Sequence, residues 1–163
     1  MTVIFMTRKS INFLQKHGVT SSPLAHSIFL CYLYFCMTEK TVFIIEDEED
    51  AAELFAEMMR VSGFRVLKTS KSAPAIAMMT AEKPDIVLLD IMMPEISGLD
   101  ILRQMRRDPA LASIPVIVVT AKSMPTDIKN GMEAGASTYL TKPVGYLELK
   151  EAVERTLAGK PSA

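Results

Sequence analysis

Beyond Thr38 the sequence contains no cysteine and no histidine; Cys31, Cys36, His17 and His26 all fall among the first 38 residues. The remainder can therefore form no disulfide, offers no thiol nucleophile and cannot build a His/Cys metal site, a usage that suits a reducing, cytoplasmic setting. It also has no imidazole to be phosphorylated or to act as a general base, which removes most hydrolase mechanisms. Positive charge is scarce in the same stretch. Fifteen basic residues stand against all nineteen acids, a net −4, whereas residues 1–38 carry Arg8, Lys9 and Lys16 with no acid and stand at +3. With no basic stripe to neutralise phosphates, direct nucleic-acid binding is disfavoured. Long hydrophobic runs are missing too: Ile28 to Met37 is ten residues, against the ~20 that a spanning helix needs.

That apolar run has the length of a signal-peptide core. Its polar lead-in is long, however, and no small-x-small cleavage site precedes the acidic stretch, so secretion is disfavoured. Two readings of residues 1–38 stay open. They form a tail whose apolar patch packs on the remainder or on a partner, or they are upstream sequence translated because the start lies at Met37. The second is preferred, because Met37-Thr38-Glu39-Lys40 leads straight into a strand-like run and charge, Cys and His usage all change there. The expected organisation is a leader over 1–38, one globular domain over 39–160 and a short tail over 161–163. With 163 residues, 49% hydrophobic and 23% charged, the chain suits a single domain.

From Lys40 onward short β-branched runs alternate with helical patterns. Residues 41–45, 65–69, 85–89, 115–119 and 137–140 read as strands. The first, third and fourth are apolar almost without alternation, as in a parallel sheet covered on both faces. Between them, 50–62 carries an apolar stripe at Ala51, Leu54, Phe55, Met58 and Met59, with acids at its start and Gly63 at its end. Ser72 is predicted to cap a second helix that has Pro74 in its first turn and ends at Pro84. Residues 99–107, 126–134 and 147–157 supply three more. Five successive βα units with right-handed crossovers make a three-layer α/β sandwich. The expected strand order is the flavodoxin-like 2-1-3-4-5, with a crevice between strands 1 and 3 at their carboxyl ends.

The residues at those carboxyl ends are all polar: Glu46 and Asp47 after strand 1, Asp90 after strand 3, Thr120 after strand 4, Lys142 after strand 5. Asp90 is flanked by apolar residues, and the next helix begins near Gly98, too far on for Asp90 to cap it. Three carboxylates in one crevice would disfavour each other's ionisation unless a cation compensates. Mg²⁺ is such a cation, held by one or two carboxylates, waters and a phosphate. Asp90 is then free to form an aspartyl phosphate, with Lys142 balancing the incoming charge and Thr120 donating to a phosphoryl oxygen.

These residues resemble the receiver domains of two-component response regulators. The resemblance runs from about Thr41 to Ala158 through IIEDEED, LLDIMMPEISGLDIL, VVTA and GMEAGASTYLTKP. It implies a phosphorylation switch in which Asp90 accepts a phosphoryl group from a histidine on a partner kinase or phosphotransfer protein. Mg²⁺ would be held by Asp47, Asp90 and the backbone carbonyl of Met92, with Glu46 acting through a water. Glu46 stands where an aspartate is commoner in the family, and an extra methylene is tolerable at a group working through water. Thr120 and Tyr139 would relay the change.

No effector segment follows the resemblance, so a stand-alone regulator of the chemotaxis or phosphorelay type is expected. Its output would come from contact with an effector protein through helix 4, strand 5 and helix 5, at Lys129, Met132, Tyr139, Tyr146 and Lys150. Such a protein is not an enzyme toward a separate substrate; it promotes only its own phosphorylation and dephosphorylation. Among rivals, a haloacid-dehalogenase-like phosphatase needs a second Asp where this chain has Met92. A flavodoxin-like carrier needs a phosphate-cradling loop where this chain has EDEED. A degenerate receiver acting as a phosphorylation-independent adaptor would not need the full set of site residues.

Overall fold

The structure, a computed structural model, describes residues 39–159 apart from Glu95. The expected leader, the Met37 start and the tail lie outside the described residues. In chain order the elements are β1 (Thr41–Ile45), α1 (Glu49–Val61), β2 (Arg65–Thr69), α2 (Ser72–Glu82), β3 (Ile86–Leu89), α3 (Gly98–Arg107), β4 (Val116–Thr120), α4 (Pro125–Glu133), β5 (Thr138–Thr141) and α5 (Tyr146–Leu157). All strand pairs are parallel and the order is β2-β1-β3-β4-β5, the doubly wound arrangement expected.

The apolar strands divide their side chains between two cores because successive residues point to opposite faces. Val42, Ile44, Ile86, Leu88, Ile117 and Val119 pack with Phe55 and Met59 of α1 and Leu149 and Val153 of α5. Phe43, Ile45, Val87, Leu89, Val116 and Val118 pack with Met79 of α2 and Ile101, Leu102 and Met105 of α3. Neither face of the central sheet can afford polar side chains, so the sequence shows no alternation there.

Some local expectations shift. The buried stripe of α1 is Ala52, Phe55, Ala56 and Met59, a helical repeat that turns Leu54 outward, where it is 54% exposed. Ser72 is buried inside α2 as its first residue, and the flanking Lys71 contributes no side-chain cap. Asp85 precedes β3 instead of opening it. Its carboxylate accepts from the Thr41 amide (2.8 Å) and the Lys40 ammonium (3.0 Å), fastening the entrance of β1 to that of β3.

Candidate functional site: an acidic crevice closed by a lysine

The parallel sheet brings all five carboxyl ends to one edge, and the crossovers on either side of β1 and β3 diverge there. Glu46 and Asp90 continue β1 and β3 directly, and the Asp90 amide donates to the Ile45 carbonyl (3.0 Å). Both acids are nearly free of water contact, at 2% and 6% exposure. Thr120 is the last residue of β4 and fully buried, and the Lys142 amide donates to its carbonyl (2.8 Å). Lys142 is followed by a cis peptide to Pro143.

The Lys142 ammonium lies 2.7 Å from Glu46 Oε2 and 2.7 Å from Asp90 Oδ2, and 5.8 Å from the centre of the Phe55 ring. The Met92 amide donates to the other Asp90 oxygen, Oδ1, at 2.8 Å. Glu46, Asp47 and Asp90 can each bring one carboxylate oxygen within 4.8 Å of the others. One ammonium thus pairs with two acids, Asp47 adds a third carboxylate beside them, and the cluster retains an excess of negative charge. Burial pushes the Glu46 carboxyl up, Lys142 opposes this, and the nearby Asp90 carboxylate adds to it. Burial pulls the Lys142 ammonium down, but its bonds to Asp90 and Glu46 outweigh that and hold it above the usual lysine value. Two buried oxygens, Glu46 Oε1 and Thr120 Oγ1, have no hydrogen-bond partner among the described residues. An unpaired buried acceptor costs free energy, so an unsatisfied carboxylate oxygen beside two more carboxylates is a fitting place for a hard cation.

The loop after β3 returns to the site through its helix. Ser97 caps α3 by accepting from the Leu99 amide, its hydroxyl donates to the Ile91 carbonyl, and the Gly98 amide donates to that same carbonyl. A Cβ on Gly98 would stand 2.1 Å from the Asp90 carbonyl oxygen. The glycine eight residues after Asp90 is therefore required by backbone contact.

The residues singled out from sequence at the strand ends converge, and Tyr139 lies apart from them on β5. Its half-buried ring donates from its hydroxyl to the Lys122 carbonyl (3.0 Å). The doubly bonded ammonium and the Met92 amide on Asp90 were not legible beforehand. Both depend on backbone placement, and neither leaves a pattern in residue type.

This arrangement belongs to a known class. A match to the response regulator receiver domain covers residues 42–154, and the chain belongs to that family. It is 37% identical over 118 residues to Protein PilH of Pseudomonas aeruginosa, covering 72% of this chain and 98% of that one. It is 35% identical over 131 residues to the phosphate regulon transcriptional regulatory protein PhoB of the same organism, where the match takes in 78% of this chain but only 57% of PhoB. Among solved structures it resembles the receiver domain of a P. aeruginosa sensor histidine kinase, described with a magnesium ion coordinated in its active-site cleft. That likeness has a TM-score of 0.69 at 25% identity and covers 74% of this chain and 99% of the other. Among the described residues no helix is long and apolar enough to cross a membrane.

Proposed function

We propose that Asp90 is the phosphoacceptor of a two-component signalling switch, charged from a phosphohistidine on a partner kinase or phosphotransfer protein. The observation that carries this is the bridging of Lys142 between two nearly water-free carboxylates, Asp90 and Glu46. An Asp90 carboxylate oxygen attacks phosphorus, and the new O–P bond forms as the N–P bond breaks. The electron pair of the broken bond stays on the departing imidazole nitrogen. Lys142, already on Asp90 Oδ2, turns a donor to the arriving phosphoryl oxygens, and the unpartnered Thr120 hydroxyl supplies another. Hydrolysis of the acyl phosphate returns the carboxylate.

The donor set fits Mg²⁺. Asp47, Asp90 and the Met92 carbonyl would hold it, with Glu46 acting through a water, and the magnesium reported for the kinase receiver domain supports that assignment. Bound there, the ion neutralises charge on the transferring phosphoryl group. Met92, two residues after Asp90, presents an exposed thioether that can neither give nor take a proton, which disfavours a phosphatase of the haloacid-dehalogenase type. The effector would be met by the face of α4, β5 and α5 around Lys129, Met132, Tyr139, Tyr146 and Lys150.

Incubation of the purified protein with acetyl phosphate tests this reading. Intact-mass spectra should show one added phosphoryl group with Mg²⁺ present and none without it. Asp90→Asn should take up none; equal uptake by that variant would overturn the assignment.

A further inference from the structure

Ser97 immediately precedes α3, and its hydroxyl serves two residues at once. It accepts from the Leu99 amide, which caps the helix, and it donates to the Ile91 carbonyl six residues back, each at 3.3 Å. Capping needs only the acceptor half of a hydroxyl, and Asp or Asn performs it as well as Ser. The donor half reaches outside the helix, to the residue that follows Asp90, so capping does not account for it. The Gly98 amide donates to the same carbonyl at 3.3 Å. The start of α3 thus grips one carbonyl twice.

The Ile91 carbonyl and the Met92 N–H are the two ends of one planar trans peptide and point in opposite directions. Holding the carbonyl therefore sets the direction of the N–H, and that N–H donates to Asp90 Oδ1 at 2.8 Å. The other carboxylate oxygen, Oδ2, is held by Lys142 at 2.7 Å. The terminal torsion of an aspartate is broad, so its carboxylate keeps one orientation only where both oxygens are held. Helix α3 is a firm base for this chain of contacts, because Ile101, Leu102 and Met105 anchor it in the core at no more than 2% exposure. Its first residue, Gly98, lies so close to the backbone of Asp90 and Ile91 that a Cβ there would meet the Asp90 carbonyl oxygen and the Ile91 Cα.

We propose that Ser97 is a positioning residue for phosphoryl transfer: through the Ile91 carbonyl it aims the Met92 amide at Asp90 Oδ1 and so fixes the rotation of the nucleophilic carboxylate. This rests on the reading of Asp90 as phosphoacceptor and adds to it a residue that acts on Asp90 through one peptide group. A nucleophile already held in its reactive orientation loses less freedom at the moment of transfer. Without the Ser97 donor the peptide keeps only the Gly98 amide and can tilt, which leaves Lys142 alone to orient the carboxylate. Threonine can replace serine in this role. Aspartate cannot, because an ionised carboxylate accepts hydrogen bonds and donates none.

Three variants of the full chain separate the two halves of the hydroxyl. Ser97→Thr keeps donor and acceptor, Ser97→Asp keeps only the acceptor, and Ser97→Ala keeps neither. Hydrogen exchange at the Met92 amide, followed by nuclear magnetic resonance without phosphodonor, reads the clamp. It should run roughly tenfold faster in Ser97→Asp and Ser97→Ala, the ratio that loss of one hydrogen bond supports, and at the wild-type rate in Ser97→Thr. The added charge of aspartate slows base-catalysed exchange, so a faster rate there reports the lost donor. The thermal midpoint should fall in Ser97→Ala but hold in Ser97→Asp, which still caps the helix. Labelling by acetyl phosphate with Mg²⁺ should slow several-fold in Ser97→Ala and Ser97→Asp and recover in Ser97→Thr. Met92 exchange at the wild-type rate in Ser97→Asp would overturn the clamp, and faster exchange with labelling unchanged in Ser97→Ala would overturn the positioning role. If Ser97→Ala does not fold, Ser97→Asp set against Ser97→Thr carries both readouts. Absence of Asp90 labelling in the wild-type protein would instead remove the phosphoacceptor reading and leave the Met92 exchange readout intact.

Discussion

Thr120 has a hydroxyl with no partner among the described residues, at a position with no exposure to water. Leaving a buried hydroxyl unpaired costs roughly 1–3 kcal/mol, and valine has nearly the same shape and an equal liking for strands. Thr120→Val is therefore expected to stabilise the resting protein, by about 1 kcal/mol in urea unfolding. The same change should blunt the amide shifts that beryllofluoride induces between residues 120 and 150, because the donor proposed for the phosphoryl oxygens is gone. A variant that is less stable than wild type would mean that the hydroxyl has a resting partner after all. If the proposed role of Thr120 holds, stability and signalling pull in opposite directions at this residue, as expected of a group held ready for a ligand that is present only part of the time.

At the scale of elements, one side chain of α3 ties its end to two neighbouring loops. Arg106 Nε and Nη2 donate to the Gly135 carbonyl at 3.0 and 2.9 Å, and Nη1 donates to the Ala112 and Ile114 carbonyls at 3.2 and 2.9 Å. The fork thus joins the end of α3, the approach to β4 and the turn after α4. Gly135, at φ +103°, leaves no space for a side chain beside it, since a Cβ would meet Arg106 Cγ and Nε at 2.9 Å. Lysine cannot reproduce that planar set of donors. Arg106→Lys should cost about 2 kcal/mol in denaturant unfolding, whereas Arg103→Lys, which loses only an exposed pair with Asp100, should cost close to nothing. The elements themselves were legible because burial on both faces left β1, β3 and β4 as unbroken apolar runs, and because the polar residues ending them stood out against that background. What could not be read was which partner satisfies which group. Ser72 has the chemistry of a cap but lies within α2, Leu54 falls off the buried stripe of α1, and the fork of Arg106 is drawn to carbonyls set by two separate loops. Residue type announces a donor; only the assembled backbone decides its acceptor.

For the whole molecule, the site is a seam through the sheet. Glu46 follows β1, Asp90 follows β3 and Lys142 follows β5, and β4 lies between β3 and β5 in the strand order. A cation held between Asp47 and Asp90 needs β1 and β3 paired in register, so its binding free energy adds to the stability of the folded domain as a unit. For a site with no affinity for the unfolded chain the gain is RT ln(1 + [L]/Kd), about 2.7 kcal/mol at a hundredfold excess over Kd. In a domain of this size that corresponds to a rise in midpoint of several degrees. Mg²⁺ added at such an excess should therefore raise the thermal midpoint of the wild-type protein, with Na⁺ at matched ionic strength as the control. Asp47, at the more open end of the cluster, has no strand-pairing duty, and Asp47→Asn should keep the fold but lose most of the Mg²⁺-dependent rise. Lys142→Met should behave in the opposite sense. Removing the ammonium strands two buried carboxylates, a loss of about 3–5 kcal/mol by analogy with broken buried pairs. The added negative charge then makes the cation worth more, so the variant should start from a lower midpoint and gain more than wild type on Mg²⁺ addition. Equal gains in wild type, Asp47→Asn and Lys142→Met would show that the ion acts elsewhere on the acidic surface.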